Sequence, residues 1–243
     1  MTGLTAPSRR ASKEEAEKPF WISFSDLMTA LMVLFLVVMA AALLSVTEGV
    51  RHIEAQERHR TVSIASCMEQ VREFTGTIPG VQVREHSVDF GTLARFQNNS
   101  SELNRDQQQF LQRFVPRVLG IAREPVCEEF LKQIVVEGFA SQSGTYLHNL
   151  DLSAQRSERV LCTLMAPAGD FHLSAADRAL IQNLFFAGGY SFNSTKKTDD
   201  DSRRIELRLD FYALREKQET PQQAKRIPAL AEDNDTSCPI DAR

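Results

Sequence analysis

The stretch "PFWISFSDLMTALMVLFLVVMAAALL", Pro19 to Leu44, decides how the rest of the chain is read. From Phe20 to Leu44 it is almost wholly apolar, yet it keeps one full carboxylate, Asp26. A helix rising about 1.5 Å per residue extends about 37 Å over this length, enough to cross a hydrocarbon core of about 30 Å with some tilt. The competing reading is a cleaved secretory signal, for which "MAAALL" offers small residues. A signal h-region of about 7–15 residues is too short for the run and hardly carries an aspartate, so the segment reads as a retained membrane helix. Arg9, Arg10, Lys13 and Lys18 precede the span, whereas only Arg51 and Arg58 follow it closely. That excess points to a cytoplasmic N-terminus, with nearly all of the chain across the membrane.

An ionised Asp deep in a membrane helix costs about 2.5–3.5 kcal/mol, and such residues usually face a partner helix or a wet cavity on an ion path. At helical spacing Ser23, Asp26, Thr29, Ala30, Val33, Val37 and Ala40 share one stripe, small and partly polar. Small residues admit a second helix, and Ser23 and Thr29 supply hydroxyls that help solvate an ion. Asp26 therefore reads as a buried, titratable ion site. The residues alone leave a second reading open, a structural Asp paired with a Lys or Arg of a neighbouring subunit.

With 243 residues, 42% apolar and 25% charged, the chain has room for one soluble domain beyond the span. A net charge of −4 gives no basic footprint, which argues against direct nucleic-acid binding. No G-x-x-x-x-G-K-[ST] or G-x-G-x-x-G occurs, so bound nucleotide is not the expected energy source. The five histidines are scattered and there is no C-x-x-C, so no metal centre or other cofactor is expected.

Between Val46 and Thr77, Val50 with Ile53, and Ile64, Met68 and Val71, recur at helical spacing and predict a helical link ended by "TGTIPG". Val81 to Phe90 alternates as a strand pair. Asn104 to Ala122 carries Phe110, Leu111, Phe114, Val115, Val118 and Leu119 on one helical face, and Pro116 is expected to kink it or start a new turn. "QIVVEGF" predicts a strand. Ser153 is expected to cap a helix through Met165, and Ser174 to cap another that ends at "FAGG". "RRIELRLDFY" places Ile205, Leu207, Leu209 and Phe211 on one face of a last strand. The expected organisation is residues 1–19 cytoplasmic, 20–45 transmembrane, 46–79 a periplasmic helical linker, 80–212 an α/β domain of two layers, and 213–243 a flexible tail.

The pattern Trp21, Ser25, Asp26, Met28, Thr29, Ala30, Met32, Phe35, Leu36, Val37 resembles the B subunits of ion-driven membrane motors, the MotB-like stator family, and within it the B subunits of Zorya anti-phage defence systems. The resemblance implies that Asp26 alternately binds and releases a proton or a sodium ion. It also implies a dimer of B subunits inside a ring of five A subunits, anchored in the inner membrane and without enzymatic activity of its own. A second resemblance lies in "VVEGFASQSGTYLHNLDLSAQRSERVLCTL", Val135 to Leu164, which is similar to the OmpA-like peptidoglycan-binding domain through Gly138, Gly144, Asn149, Leu152, Ser153, Arg156 and Val160. It implies that Tyr146, His148, Asn149, Leu152 and Arg156 line a shallow pocket where Arg156 forks onto a stem-peptide carboxylate. Ser141 stands where that family has an aspartate for the ligand amine. A passive wall tether with a structural Asp26, and a flagellar stator subunit, are the alternatives. The B-type subunits that energise outer-membrane transport lack the "N-x-x-L-S-x-x-R" pattern seen here.

All four cysteines, Cys67, Cys127, Cys162 and Cys238, follow the span. In an oxidising periplasm an even count allows two disulfides in three connectivities, or pairing between chains.

Overall fold

The computed structural model describes residues 14–166, 173–214, 216 and 238–242. Two compact units divide the chain, Met1–Gln56 and Glu57–Arg243. Helix α1, Glu14–Gly76, contributes to both. In the first unit its side chains from Trp21 onward are exposed, and among the described residues it is the one helix long and apolar enough to cross a membrane.

The later part of α1 belongs to the second unit, because Ile64, Met68 and Val71 are buried in that unit's core. A disulfide joins Cys67 to Cys127 beside them, and the Arg60 Nε donates to the Tyr212 carbonyl at 2.6 Å. The helix expected as a linker over 46–79 thus belongs to the domain unit from Glu57 onward. Its apolar stripe of Ile64, Met68 and Val71 is drawn into the core, and the domain begins at Glu57 and not at residue 80 in consequence.

The second unit is a five-stranded sheet in the order β1-β2-β5-β3-β4 with helices packed on it. β1 (Gln82–Arg84) and β2 (Ser87–Asp89) form the expected hairpin, and β2 pairs antiparallel with β5 (Ile205–Phe211). β3 (Leu131–Gly138) lies antiparallel to β5 and parallel to β4 (Phe185–Gly189). Ile205, Leu207 and Leu209 are buried toward the helices, while Glu206, Arg208 and Asp210 alternate onto the opposite face, the period-2 pattern of a strand covered on one side.

α2 (Arg105–Ala122) opens with a reciprocal cap in which Asn104 and Gln107 satisfy each other's backbone N–H groups, and it continues through Pro116 as one element. Its buried face, Leu111, Phe114, Val115, Val118 and Leu119, meets the sheet core. The short α3 (Pro125–Glu128) carries Cys127. α5 (Ala175–Leu184) is capped by Ser174 as expected, but "FAGG" belongs to β4, a parallel strand beside β3.

α4 (Tyr146–Met165) starts eight residues earlier than a Ser153 cap would allow, because the Thr145 hydroxyl takes the capping role on the His148 N–H. Ser153 is instead fully buried within the helix, where its hydroxyl donates to the Leu150 carbonyl and accepts from the Ser191 N–H. The helix backbone rides unusually close to the sheet. A Cβ on Gly138 would fall 1.9 Å from the Ser153 carbonyl oxygen, and one on Gly189 would fall 2.6 Å from the Ala154 nitrogen, so only glycine permits this approach.

The tail expected to be flexible over 213–243 lies largely outside the described residues. Its segment 238–242 is held: Cys238 is bonded to Cys162 of α4, and Pro239–Ala242 forms a short 3-10 turn.

Candidate functional site

On the second unit a cleft of about 210 Å³ opens at the N-terminal half of α4. His148, Asn149, Leu152 and Arg156 reach it from one helical face, at the i, i+3/i+4, i+7 spacing that stacks side chains above one another. Asn98 and Asn99 form one wall, Ala140, Ser141, Ser143 and Gly144 another, and Arg203 comes from the turn before β5. Tyr146, expected in the same pocket, is not among its lining residues. It is 45% exposed, with its ring edge-on to Phe192 at 5.6 Å.

Arg156 is fully buried. Its Nε donates to the Ser100 carbonyl at 2.9 Å, Nη1 to the Phe139 carbonyl at 2.8 Å and Nη2 to the Gln97 carbonyl at 3.1 Å, with the guanidinium 5.1 Å from the centre of the Phe96 ring. Burial, and then the neighbouring Arg203 charge, push its pKa down to about 10, so it remains a cation at neutral pH. The free fork expected of Arg156 is therefore mostly committed to the protein. It pins the 97–100 loop and lends positive charge to the cleft floor.

Asn149 is likewise buried, its Nδ2 donating to the Ser143 carbonyl at 2.9 Å and holding the loop over the cleft. His148 Nε2 pairs with Asn99 Oδ1 at 2.7 Å at the mouth. Arg203 Nε donates to the Phe96 carbonyl at 3.2 Å and its Nη2 bonds to Asp200. The lining thus carries two guanidinium groups and no carboxylate of its own, although Asp200 pairs with Arg203 and Asp199 accepts a 3.3 Å bond from the Ser143 hydroxyl. Such a cleft suits an anionic or carboxylate-bearing ligand with several hydrogen-bonding groups. The polar run "FQNNS" before α2 and the first arginine of "SRRIEL" are the signals that could have added Asn98, Asn99 and Arg203 to the predicted set.

A second polar cluster lies on the sheet. Lys196 Nζ is 2.7 Å from Asp89 Oδ2, and Arg204 Nε is 2.6 Å from Glu206 Oε1 and sits over the Phe139 ring at 4.0 Å. Burial raises the Asp89 pKa, but bonds from Lys196 and from the Gly91 N–H outweigh it and hold the carboxyl below its ordinary value. Glu137, 2.7 Å from Arg208, shows the opposite balance: burial outweighs its Tyr190 and Arg208 contacts and lifts its pKa.

In the first unit Asp26, Thr29, Ala30, Val33 and Val37 line a shallow groove along α1. The Thr29 hydroxyl donates to its own helix, to the Ser25 and Asp26 carbonyls at 2.9 and 2.8 Å, so it offers an ion only its lone pairs. Ser23 lies one turn before Asp26 on the same stripe.

Residues 7–48 match the family model described as the membrane MotB of the proton-channel complex MotA/MotB. The apolar helix with its single carboxylate thus falls in the class of MotB-type membrane subunits. Over 236 residues the chain is also 40% identical to the Zorya protein ZorB of Escherichia coli O139:H28 (strain E24377A / ETEC), covering 95% of this chain and 96% of that one. It belongs to the ZorB family. Among solved structures, the periplasmic domain of Helicobacter pylori MotB (residues 78-256) aligns at 15% identity and a TM-score of 0.39, covering 55% of this chain and 82% of that one. The cell wall anchor of the T6SS from Pseudomonas aeruginosa aligns at 20% identity and a TM-score of 0.37, covering 58% of this chain and 94% of that one.

Proposed function

We propose that this chain is the B subunit of an ion-driven inner-membrane motor, with Asp26 as the ion-carrying group and the second unit as its anchor on peptidoglycan. The observation that carries the reading is Asp26 itself, a lone carboxylate on a small-residue stripe of the helix that matches the MotB membrane segment. Proton transfer to Asp26 removes the charge that lipid disfavours, and release restores it. Each charge moved through the membrane field is worth about 2.3 kcal/mol per 100 mV. The ion carried is a proton in this reading, and the motor serves anti-phage defence, as the likeness to the Zorya protein suggests.

The N-terminus lies in the cytoplasm and the second unit in the periplasm, where two disulfides suit the oxidising conditions. Two copies of this chain stand within a ring of A subunits. The basic cleft takes the carboxylates of the cell-wall stem peptide, and a stationary anchor lets rotation of the ring deliver torque.

Asp26→Asn tests the motor half: the complex is expected to assemble with its A subunit, while phage protection is lost, because an amide cannot exchange a proton. Full protection by that variant would leave Asp26 structural and the chain a passive tether. Arg156→Ala is a poor test of the anchor half, since it strands three carbonyl groups. Asn98→Glu with His148→Glu places two carboxylates at exposed positions on the cleft mouth instead, and is expected to abolish cosedimentation with purified sacculi in a folded protein.

A further inference from the structure

We infer that segment 238–242 is a disulfide-fastened clamp on the loop that walls the cleft, with Arg159 and Asp241 as its positioning residues. The inference builds on the reading of the cleft as the wall-binding site. Arg159, one helical turn beyond Arg156 on α4, is 12% exposed at its side chain and joins two segments far apart in sequence. Its Nη1 is 2.6 Å from Asp241 Oδ1, and its Nη2 is 2.9 Å from Glu102 Oε1. Asp241 is held there covalently, because Cys238 three residues earlier is bonded to Cys162, three residues beyond Arg159 on the same helix.

Glu102 closes the loop whose residues Asn98 and Asn99 line the cleft and whose Gln97 and Ser100 carbonyls accept from Arg156. The loop is also tied by the Glu102 N–H donating to the Ser100 hydroxyl and by the His148 pair with Asn99, and at its far end Leu103 is buried in the core and its carbonyl accepts from Gln108 Nε2. Asn99 holds a positive φ of 50°, a left-handed turn that asparagine adopts more readily than other non-glycine residues. The disulfide therefore raises the effective concentration of Asp241 at Arg159, and Arg159, so oriented and half neutralised, presents its other nitrogen to Glu102. Reducing Cys162–Cys238 frees Asp241, lets Arg159 reorient, and loosens the cleft wall. Wall binding thus depends on the oxidation state of a bond that does not touch the ligand.

The test uses the full-length chain in detergent, by hydrogen–deuterium exchange and by cosedimentation with purified sacculi. Cys162→Ser/Cys238→Ser and Asp241→Lys are each expected to speed amide exchange several-fold across residues 97–104 and to lower the fraction that pellets. Asp241→Glu, which keeps the pair, is expected to restore both. Cys67→Ser/Cys127→Ser serves as the control, expected to lower the melting temperature without selective exchange at 97–104. Unchanged exchange at 97–104 in the first two variants overturns the clamp. If the parent protein does not pellet with sacculi, the wall-binding reading fails, while the exchange data still decide whether the loop is clamped.

Discussion

Between Trp21 and Val46 the large apolar side chains of α1 are exposed, Leu36 at 54% and Leu44 at 68%, whereas from Ile64 onward the apolar side chains close into one core with Val71, Phe90, Leu111 and Ile134 buried. The same helix type serves both, with opposite solvents. The first part is stable only where lipid or other helices replace water, so whatever Asp26 does is supplied by an assembly. The second unit buries its own apolar surface, ties its segments with two disulfides and builds its cleft from a single chain. On the proposed reading, ion handling belongs to the complex and ligand binding to the protomer.

The sharpest way to break that contrast is to unfasten the second unit. Each disulfide closes a loop of 60 or 76 residues, which on a chain-entropy basis stabilises the fold by about 4 kcal/mol. Cys67→Ser/Cys127→Ser is expected to lower the urea midpoint of the second unit strongly while leaving membrane insertion of the span intact, checked by carbonate extraction. Loss of insertion would show that the two units are not energetically separate.

A smaller effect distinguishes two of the three buried carboxylates of the sheet, Asp89 and Glu137. Asp89 has a lowered folded pKa, so its stabilisation is present above pH 3.8 and is lost as pH falls through the folded value. Glu137 has a raised one, so its contribution is present below pH 4.5 and is lost as pH rises through the folded value. At pH 7 Asp89→Asn is expected to cost about 2 kcal/mol by taking the closer of two carboxylates from half-buried Lys196, which keeps Glu206 at 3.7 Å, and Glu137→Gln less than about 1 kcal/mol. Equal losses in thermal melts at pH 7, or an acid-midpoint shift in Glu137→Gln as large as that in Asp89→Asn, would show that burial does not separate them.

The smallest expected effect falls on Tyr146. Because its ring packs on Phe192 outside the cleft, Tyr146→Ala is expected to pellet with sacculi as the parent does. A clear loss of binding would extend the site around the start of α4.

What the amino-acid sequence determined by itself was local. A membrane solvent demands a contiguous apolar run, so the span and the oddity of Asp26 are visible residue by residue. Alternation in "RRIELRLDFY" and the 3.6-residue stripe of α2 likewise report which face meets a core. The glycine at 138 and the helical spacing of His148, Asn149, Leu152 and Arg156 were legible too. What only the tertiary structure decided depends on segments that meet across the fold. Thr145 rather than Ser153 begins α4, because Ser153 is needed by Ser191, 38 residues on. Which of three cysteine pairings forms follows from α1 lying beside α3 and segment 238–242 beside α4. Arg156 is a pin and not a free fork because the 97–100 loop brings its carbonyl groups onto it, a meeting of residues more than 50 positions apart that no local period encodes.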